Sequence, residues 1–352
     1  MSRPSYWVVD GTRFRPVAAT ASHEPAAVCL HAHSCHSVEN LAHLNWVSRI
    51  PWFRPFSRIL QRSFGLAHVP DVDYRKLCYH PPITPGDIWD IELAGARRLG
   101  FERVLVAVTD HDEVAGSLEL VERRGEDAAR IGAGEELSFL FEHELFHVGI
   151  SGVDPRRLPD VHASLQPAAA EGRIGDIFDL LTATGCLVVL NHPLIAWGAH
   201  HHQDAGPVEA LIGRFGWAID ALEFNAMRSQ AENRRVVELA GWAHKPLVGG
   251  GDSHLPAPAS ALCASNAGTY AAFIDEVRSG WSRPIVTREY FLPHRWKITL
   301  RVLNFIARYR AIGEYDGVSV GEMLAGRRVL LDPVGAVCRA IVGASRRVGA
   351  FS

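Results

Sequence analysis

Several short apolar runs in this chain end in histidine or carboxylate residues, and this feature most constrains its fold. Residues 28–30 lead into His-Ala-His, residues 104–108 into Thr-Asp-His, and residues 187–190 into Asn-His-Pro. Residues 247–248 lead into Gly-Gly-Gly-Asp-Ser-His. Uninterrupted apolar runs of this length are typical of strands covered on both faces in a parallel sheet. Because the carboxyl ends of parallel strands share one edge, we expect these polar residues to converge there.

Helix-like stretches separate the apolar runs. The clearest lies between Thr84, a suitable N-cap, and Gly100, a stop signal, and Pro85 suits its first helical position. Apolar runs that alternate with helical stretches between residues 26 and 285 predict an α/β protein. The 352 residues suffice for one large barrel or two medium domains.

Two of the polar motifs place a pair of side chains on one face of an extended segment. His31 and His33 are two residues apart, as are Asp252 and His254, so both members of each pair can reach one site. A mixed set of imidazole and carboxylate ligands suits Zn, Mn or Fe. One such motif alone is more typical of a structural histidine, but several in order on separate strands predict a polynuclear metal site.

The overall composition excludes other classes of protein. With 47% hydrophobic residues and a formal net charge of −3, the chain is neither a disordered protein nor a strongly basic nucleic-acid binder. Its six cysteines form no CxxC pair, which favours a reducing compartment. The chain shows neither a signal-peptide pattern at its start nor an apolar stretch of membrane-spanning length, so we expect a cytoplasmic protein.

The distribution of charge and aromatic residues predicts three parts, namely an N-terminal segment (1–25), a central domain (26–285) and a basic, helical C-terminal extension (286–352). Within the central domain, residues 41–82 are expected to form an insertion, because arginine and aromatic residues alternate there. The insertion and the extension suit three roles. They are helical cover over the domain, a lid that binds an anionic substrate, or contact with nucleic acid or an anionic membrane surface.

Six motifs in order resemble those of the PHP (polymerase and histidinol phosphatase) family. They span roughly residues 26–285 and are His31-Ala32-His33-Ser34, Thr109-Asp110-His111-Asp112, Glu136-Leu137-Ser138, His147-Val148-Gly149, Asn191-His192-Pro193 and Gly251-Asp252-Ser253-His254. The resemblance implies a distorted (β/α)7 barrel that holds two or three divalent metal ions and hydrolyses phosphoesters. A further motif, Glu223-Phe224-Asn225, implies a glutamate that organises the barrel.

The resemblance also implies which residues bind each metal. The ligands of the first metal are His31, His33, Glu136 and Asp252. Glu136 bridges to a second metal, whose other ligands are His147 and His192. The third metal is held by His111 and His254. Asp110 is expected beside these ligands, and we count it with His192 and His254 as a catalytic residue.

The chain departs from the family pattern at one ligand of the third metal. The family usually has Asp or His a few residues after the HxH motif, but this chain has Glu39. Because a carboxylate oxygen is an acceptable ligand, Glu39 is expected to take that place. Cys35 and His36 are alternatives in the same loop.

From this resemblance we expect a hydrolase that acts on a small-molecule phosphomonoester through a hydroxide bridging two metals, with His254 or His192 protonating the leaving oxygen. Two alternatives stay open. One is a nuclease or phosphodiesterase that acts on single-stranded nucleic acid. The other is a non-catalytic metal-binding scaffold.

Overall fold

The computed structural model describes residues 5–18, 25–40, 78–194, 205–293 and 296–297, which form a mixed α/β structure. The strands of this part of the chain are β1 Tyr6–Asp10, β2 Arg13–Val17, β3 Ala26–Cys29, β4 Glu39–Asn40, β5 Cys78–Tyr79, β6 Arg103–Val106, β7 Glu135–Phe141, β8 Glu144–Ser151, β9 Leu187–Leu190, β10 Ala221–Asn225, β11 Leu247–Gly250, β12 Ala261–Ser265 and β13 Arg283–Val286. The α-helices are α1 Pro85–Leu99, α2 Ala115–Arg123, α3 Leu158–Ala170, α4 Ile174–Thr184, α5 Gly206–Phe215, α6 Gln230–Ala243 and α7 Tyr270–Arg278.

The strands divide into two main sheets and a small ladder between β4 and β5. One sheet has six strands in the order β2-β1-β13-β12-β3-β6, and the other has five in the order β11-β10-β9-β8-β7. The neighbours β3 and β6 are parallel, as are β9, β10 and β11. The other ladders are antiparallel, including those that join β7 to β8 and β8 to β9. The parallel arrangement predicted from the apolar runs therefore holds for only part of each sheet.

The predicted distorted (β/α)7 barrel is not confirmed, because within the described residues regular ladders do not join the two sheets. Isolated bridges connect their edges instead. Ala32 pairs with Ser253 beyond the ends of β3 and β11, and His111 pairs with Glu136 beyond the end of β6. Both connections lie at sequence motifs that we identified as metal-binding.

Local capping signals explain where the helices begin and end. The α1 helix starts with a capping box in which the Thr84 hydroxyl accepts from the Asp87 N–H, and Gly100 ends it at a φ of 99°. The α6 helix begins with the same arrangement, made by Ser229 and Glu232. The helix predicted between the Thr84 cap and Gly100 is therefore confirmed as Pro85–Leu99.

The apolar runs are buried on both faces, as their composition predicts. In β3, Ala27 and Cys29 pack with α1 residues, whereas Ala26 and Val28 lie in a separate cluster with residues of β9, β10 and β11. A third cluster packs β7, β8 and β9 against α3, α4 and α5. The side chains that follow these strands are thus placed by well-packed elements on both sides.

The N-terminal segment contributes strands β1 and β2 to the six-stranded sheet, where Trp7 pairs with Val286 of β13. Most of the predicted insertion (41–82) and most of the predicted extension (286–352) lie outside the described residues. Within the part of the chain that is described, no helix combines the length and the apolar character needed to span a bilayer.

Candidate metal centre

All nine predicted ligand residues lie together where the two sheets meet. They form four overlapping groups, and in each group one nitrogen or oxygen atom from every member lies within 4.8 Å of the others. The groups are His31, His33 and Asp252; His31, Glu136 and His192; His111, Glu136 and His147; and His33, Glu39, His111 and His254.

Glu136 occupies the middle of the centre and directs its two oxygens towards different histidines. Its Oε2 atom lies 3.0 Å from His31 Nε2 and 3.3 Å from His33 Nε2. Its Oε1 atom lies 3.1 Å from His192 Nε2 and 3.4 Å from His147 Nδ1. Burial alone raises the pKa of this carboxyl, but the surrounding histidines outweigh it and hold the pKa well below its usual range. Glu136 is therefore an anionic group with the geometry of a bridging ligand.

Glu39 is a second carboxylate among histidines, nearer the surface. Its Oε2 atom lies 3.1 Å from His254 Nε2 and 3.5 Å from His111 Nε2, and its Oε1 atom lies 3.4 Å from His33 Nδ1. Burial raises the pKa of Glu39, but these histidines lower it by a larger amount, so the pKa lies below its usual range. We call Glu136, His31, His147 and His192 the inner set and Glu39, His111 and His254 the outer set. Both His33 and His111 contact the two carboxylates, and His111 Nδ1 lies 3.3 Å from Glu136 Oε2.

The alternatives to Glu39 lie elsewhere. His36 Nε2 lies 2.7 Å from the carboxylate of Glu119 on α2, and neither belongs to any of the four groups. Burial raises the pKa of the Cys35 thiol to about 12, which disfavours the thiolate that binds metals. Glu39 is therefore the residue of this loop that faces the other candidate ligands.

The glycines before Asp252 allow the chain to pass close to its neighbours. A Cβ atom at Gly250 would lie 1.6 Å from Glu223 Oε1, and one at Gly251 would lie 2.6 Å from the Cβ atom of Ala259. Asp252 itself has a φ of 46°, which is uncommon for a residue other than glycine. The Gly-Gly-Gly-Asp sequence thus brings this carboxylate against the HxH motif.

Glu223, in the middle of β10, orients the inner set without belonging to any of the four ligand groups. Its Oε1 atom lies 2.6 Å from His31 Nδ1, and its Oε2 atom accepts from the backbone N–H of His192 at 2.8 Å. Burial lowers the pKa of His31, but Glu136 and Glu223 outweigh it, and the net shift is upward. A carboxylate on one ring nitrogen leaves the other directed at the metal position, which is the usual support for a histidine ligand.

Two asparagines that the sequence analysis did not assign also support the carboxylates. Asn191 Nδ2 donates to Glu136 Oε1 at 2.9 Å, and Asn225 Nδ2 donates to Asp252 Oδ2 at 3.3 Å. Both residues end or directly follow a buried strand, as His192 and several other predicted ligands do. Their position in the sequence was therefore a usable signal.

Asp110 lies behind the HxH motif and outside the four groups. Its carboxylate accepts from the backbone N–H and the hydroxyl of Ser34. It packs so closely against Gly116 that a Cβ there would lie 2.0 Å from Asp110 Oδ2. Burial raises the pKa of Asp110 to about 7. In this position it supports the loop that carries His33 and does not face the centre.

The donor atoms of this chain fit divalent metal ions. The Nε2 atom of His33 is buried and has no hydrogen-bond partner among the described residues, although it faces Glu136 and Asp252. Three carboxylates, those of Glu39, Glu136 and Asp252, are buried in one cluster. Cations between them would offset their mutual repulsion and the cost of their desolvation. Imidazole and carboxylate together are typical ligands of Zn, Mn and Fe.

Comparisons with known proteins give distant likenesses. No family model and no curated protein matches the chain. Among solved structures, an amidohydrolase from Chromobacterium violaceum is 17% identical over 49% of this chain and 83% of its own, with a TM-score of 0.36. A candidate metal-dependent phosphoesterase from Bifidobacterium adolescentis is 17% identical over 56% of this chain and 91% of its own, with a TM-score of 0.38.

A third similar structure is a two-domain protein from Bacteroides vulgatus that contains a predicted PHP-like metal-dependent phosphoesterase. It is 11% identical over 75% of this chain and 65% of its own, with a TM-score of 0.43. Its name refers to the family that the sequence motifs resemble.

Proposed function

We propose that this chain is a metal-dependent phosphoesterase that hydrolyses a phosphomonoester. The observation that carries the proposal is the position of Glu136, whose two oxygens face separate histidines, with a second carboxylate, Glu39, among further histidines. Such a cluster suits a phosphoester, because an anionic substrate requires cations to offset its charge.

Divalent ions bound here would supply positive charge to the phosphoryl oxygens and lower the pKa of the attacking water. The residues of the chain hold and orient the substrate around that charge. His254 and His111 have side chains that are 21% and 17% exposed, whereas His31 is 1% exposed. The outer set is therefore the more exposed part of the centre, and in this proposal the substrate enters there and His254 protonates the leaving oxygen. His192 is the alternative donor, but it is more deeply buried.

The proposal includes the barrel that the family resemblance implies. Regular ladders connect β3 to β6 and connect β7 through β11 in order. The Val106–Ile131 and His111–Glu136 bridges connect β6 to the β7 side, and the Ala32–Ser253 bridge connects β11 to β3. These seven strands have the cyclic order of a distorted barrel, and its weakest junctions lie at the candidate centre.

The test is hydrolysis by protein loaded with Mn, Zn or Fe, measured with p-nitrophenyl phosphate, with its bis ester and with a labelled single-stranded oligonucleotide. We expect turnover of the monoester. Cleavage of the oligonucleotide or the bis ester alone would show a nuclease or phosphodiesterase, and a metal-loaded protein inert towards all three would be a scaffold.

Variants connect that activity to the centre. His33→Ala and Asp252→Ala should lose both bound metal and monoester turnover. His143→Asn is the matched control, because His143 is exposed at the turn between β7 and β8. Asparagine tolerates its φ of 69°. Wild-type metal content and activity in His33→Ala would contradict the assignment.

A further inference from the structure

Arg228 is a cation at the edge of the metal centre that lacks close hydrogen-bond partners for its guanidinium among the described residues. It lies in the short loop between β10 and α6, and its side chain is 21% exposed. Its Nε atom is buried without a hydrogen-bond partner in the described part of the chain. A guanidinium removed from water carries a desolvation cost unless its donors are satisfied.

The acidic neighbour of Arg228 satisfies little of this need. The nearest contact places an Nη2 atom 3.9 Å from Asp252 Oδ2, which is too long for a hydrogen bond. That same oxygen accepts from Asn225 Nδ2 at 3.3 Å. A guanidinium has five N–H donors in a planar fork; here, among the described residues, the Nε donor has no partner and the Nη2 contact with Asp252 is too long for a hydrogen bond. The ligand that best suits such a fork is a phosphate or carboxylate group.

The loop that carries Arg228 is held from several sides. Its Ala226 N–H donates to the Gly250 carbonyl at 2.9 Å, and the Arg228 N–H donates to the Asn225 carbonyl at 3.2 Å. Lys297 then donates from Nζ to the carbonyl oxygens of Ala226 and Arg228, both at 3.0 Å. The backbone of the loop is thus fixed before any ligand arrives.

Lys297 is itself unusual for a lysine. Only 1% of it is exposed, and its ammonium lies 4.8 Å from the centre of the Tyr290 ring. Lysines are rarely buried to this extent unless their donors are satisfied, as they are here by carbonyls and an aromatic face. Lys297 follows β13 in the chain, so it connects the start of the C-terminal extension to the edge of the centre.

We propose that Arg228 binds a phosphoryl oxygen of the substrate beside the metal centre, and that Lys297 acts as a positioning residue that fixes the Arg228 loop. The phosphate class of the ligand rests on the proposed function, whereas the placement of an anion at Arg228 rests on the contacts above. A residue near the start of the C-terminal extension thus prepares the substrate site.

Calorimetric titration of inorganic phosphate into the metal-loaded protein tests the proposed role of Arg228. Loss of a charged hydrogen bond predicts that Arg228→Gln weakens phosphate binding by about tenfold or more, with unchanged metal content. Arg228→Lys keeps the charge without the planar fork, so its phosphate affinity should lie between those of the wild type and Arg228→Gln. Arg234→Gln is the matched control, because Arg234 is exposed on the adjacent helix α6.

Three results would overturn the proposed role of Arg228. They are absence of phosphate binding in the wild type, wild-type affinity in Arg228→Gln, and loss of metal in Arg228→Gln. The last would show that Arg228 serves Asp252 and not a ligand.

A double-mutant cycle tests the role of Lys297. If Lys297 acts through Arg228, Lys297→Met should weaken phosphate binding and raise KM more than it lowers kcat, and Lys297→Met with Arg228→Gln should bind no more weakly than Arg228→Gln alone. Additive losses would contradict positioning. Because Lys297→Met removes a buried ammonium, thermal unfolding and metal content are measured for each variant. If Lys297→Met does not fold, Lys297→Arg, which retains hydrogen-bond donors, is the second variant.

The two proposals fail in different ways. If phosphate binding depends on Arg228 but no phosphoester is hydrolysed, the proposed function is wrong and the anion site stands. If phosphomonoesters are hydrolysed while Arg228→Gln keeps the wild-type phosphate affinity and KM, the anion site is wrong and the function stands.

Discussion

The inner and outer sets of the centre use the same kinds of residue in different surroundings. In the inner set, Glu136 is fully buried, and Glu223 and Asn191 support the side chains around it. In the outer set, His111 and His254 are partly exposed. The Glu39 carboxylate accepts a hydrogen bond from the Ser37 hydroxyl. Under the proposed function, this difference predicts that the inner set holds metal more firmly, whereas the outer set exchanges metal more readily and contacts the substrate.

Glu136→Gln should have the largest effect, because it removes the one carboxylate that faces most of the inner histidines. We expect loss of metal from the inner set and a fall in monoester turnover of about a thousandfold or more, since metal ions contribute several kcal/mol to such reactions. Elemental analysis and steady-state kinetics measure both. Near wild-type metal content in Glu136→Gln would contradict the expectation that the inner set binds metal through Glu136.

Glu39→Gln should remove only part of the metal. Because the inner set is unchanged, we expect the protein to keep its inner ions, lose one outer ion and lose about a hundredfold in turnover. Glu39→Asp, which keeps a carboxylate, should retain more of the outer ion. Complete loss of metal in Glu39→Gln would show that the two sets are not separable.

Glu223→Gln tests the support of the inner set. An amide in place of the carboxylate next to His31 Nδ1 should weaken metal affinity by about tenfold to a hundredfold, which is typical for an orienting partner of a histidine ligand. Competition with a chelator measures this change. Equal affinity in the variant and the wild type would show that burial alone orients His31.

Gly250→Ala should produce the smallest effect on the centre, but a clear effect on stability. Its new methyl group would displace Glu223, so we expect the free energy of unfolding to fall by about 1–3 kcal/mol and metal affinity to fall modestly. Gly213→Ala is the control, because a Cβ there meets nothing within 4 Å. Equal melting temperatures for Gly250→Ala and the wild type would contradict the close approach.

The sequence predicts the candidate site better than it predicts the sheets. The pairs His31 and His33, and Asp252 and His254, follow buried strands, so strand ends and two-residue spacing suffice to bring them together. Glu136 and His147 are different, because β8 is antiparallel to β9 and Glu136 lies near the beginning of β7. The strand-end argument does not apply to these two residues, and only their order along the chain indicated a role.

The division into two sheets and the role of Arg228 depend on contacts between distant parts of the chain. Whether β11 pairs with β3 along a full ladder or at one bridge depends on packing that the apolar pattern does not encode. Arg228 is one arginine among many in the sequence, and only the carbonyls that Lys297 contacts distinguish its loop. The twelve histidines outside the predicted set show equally that abundance alone does not locate a site.

The most direct test of the central claim is anomalous X-ray diffraction from crystals of the metal-loaded protein, recorded at the absorption edge of the bound metal. We predict two peaks on either side of the Glu136 carboxylate, one near His31 and His33 and the other near His147 and His192, with any third peak near Glu39. Peaks confined to other parts of the molecule, or a map with no peak within coordination distance of Glu136, would contradict the account.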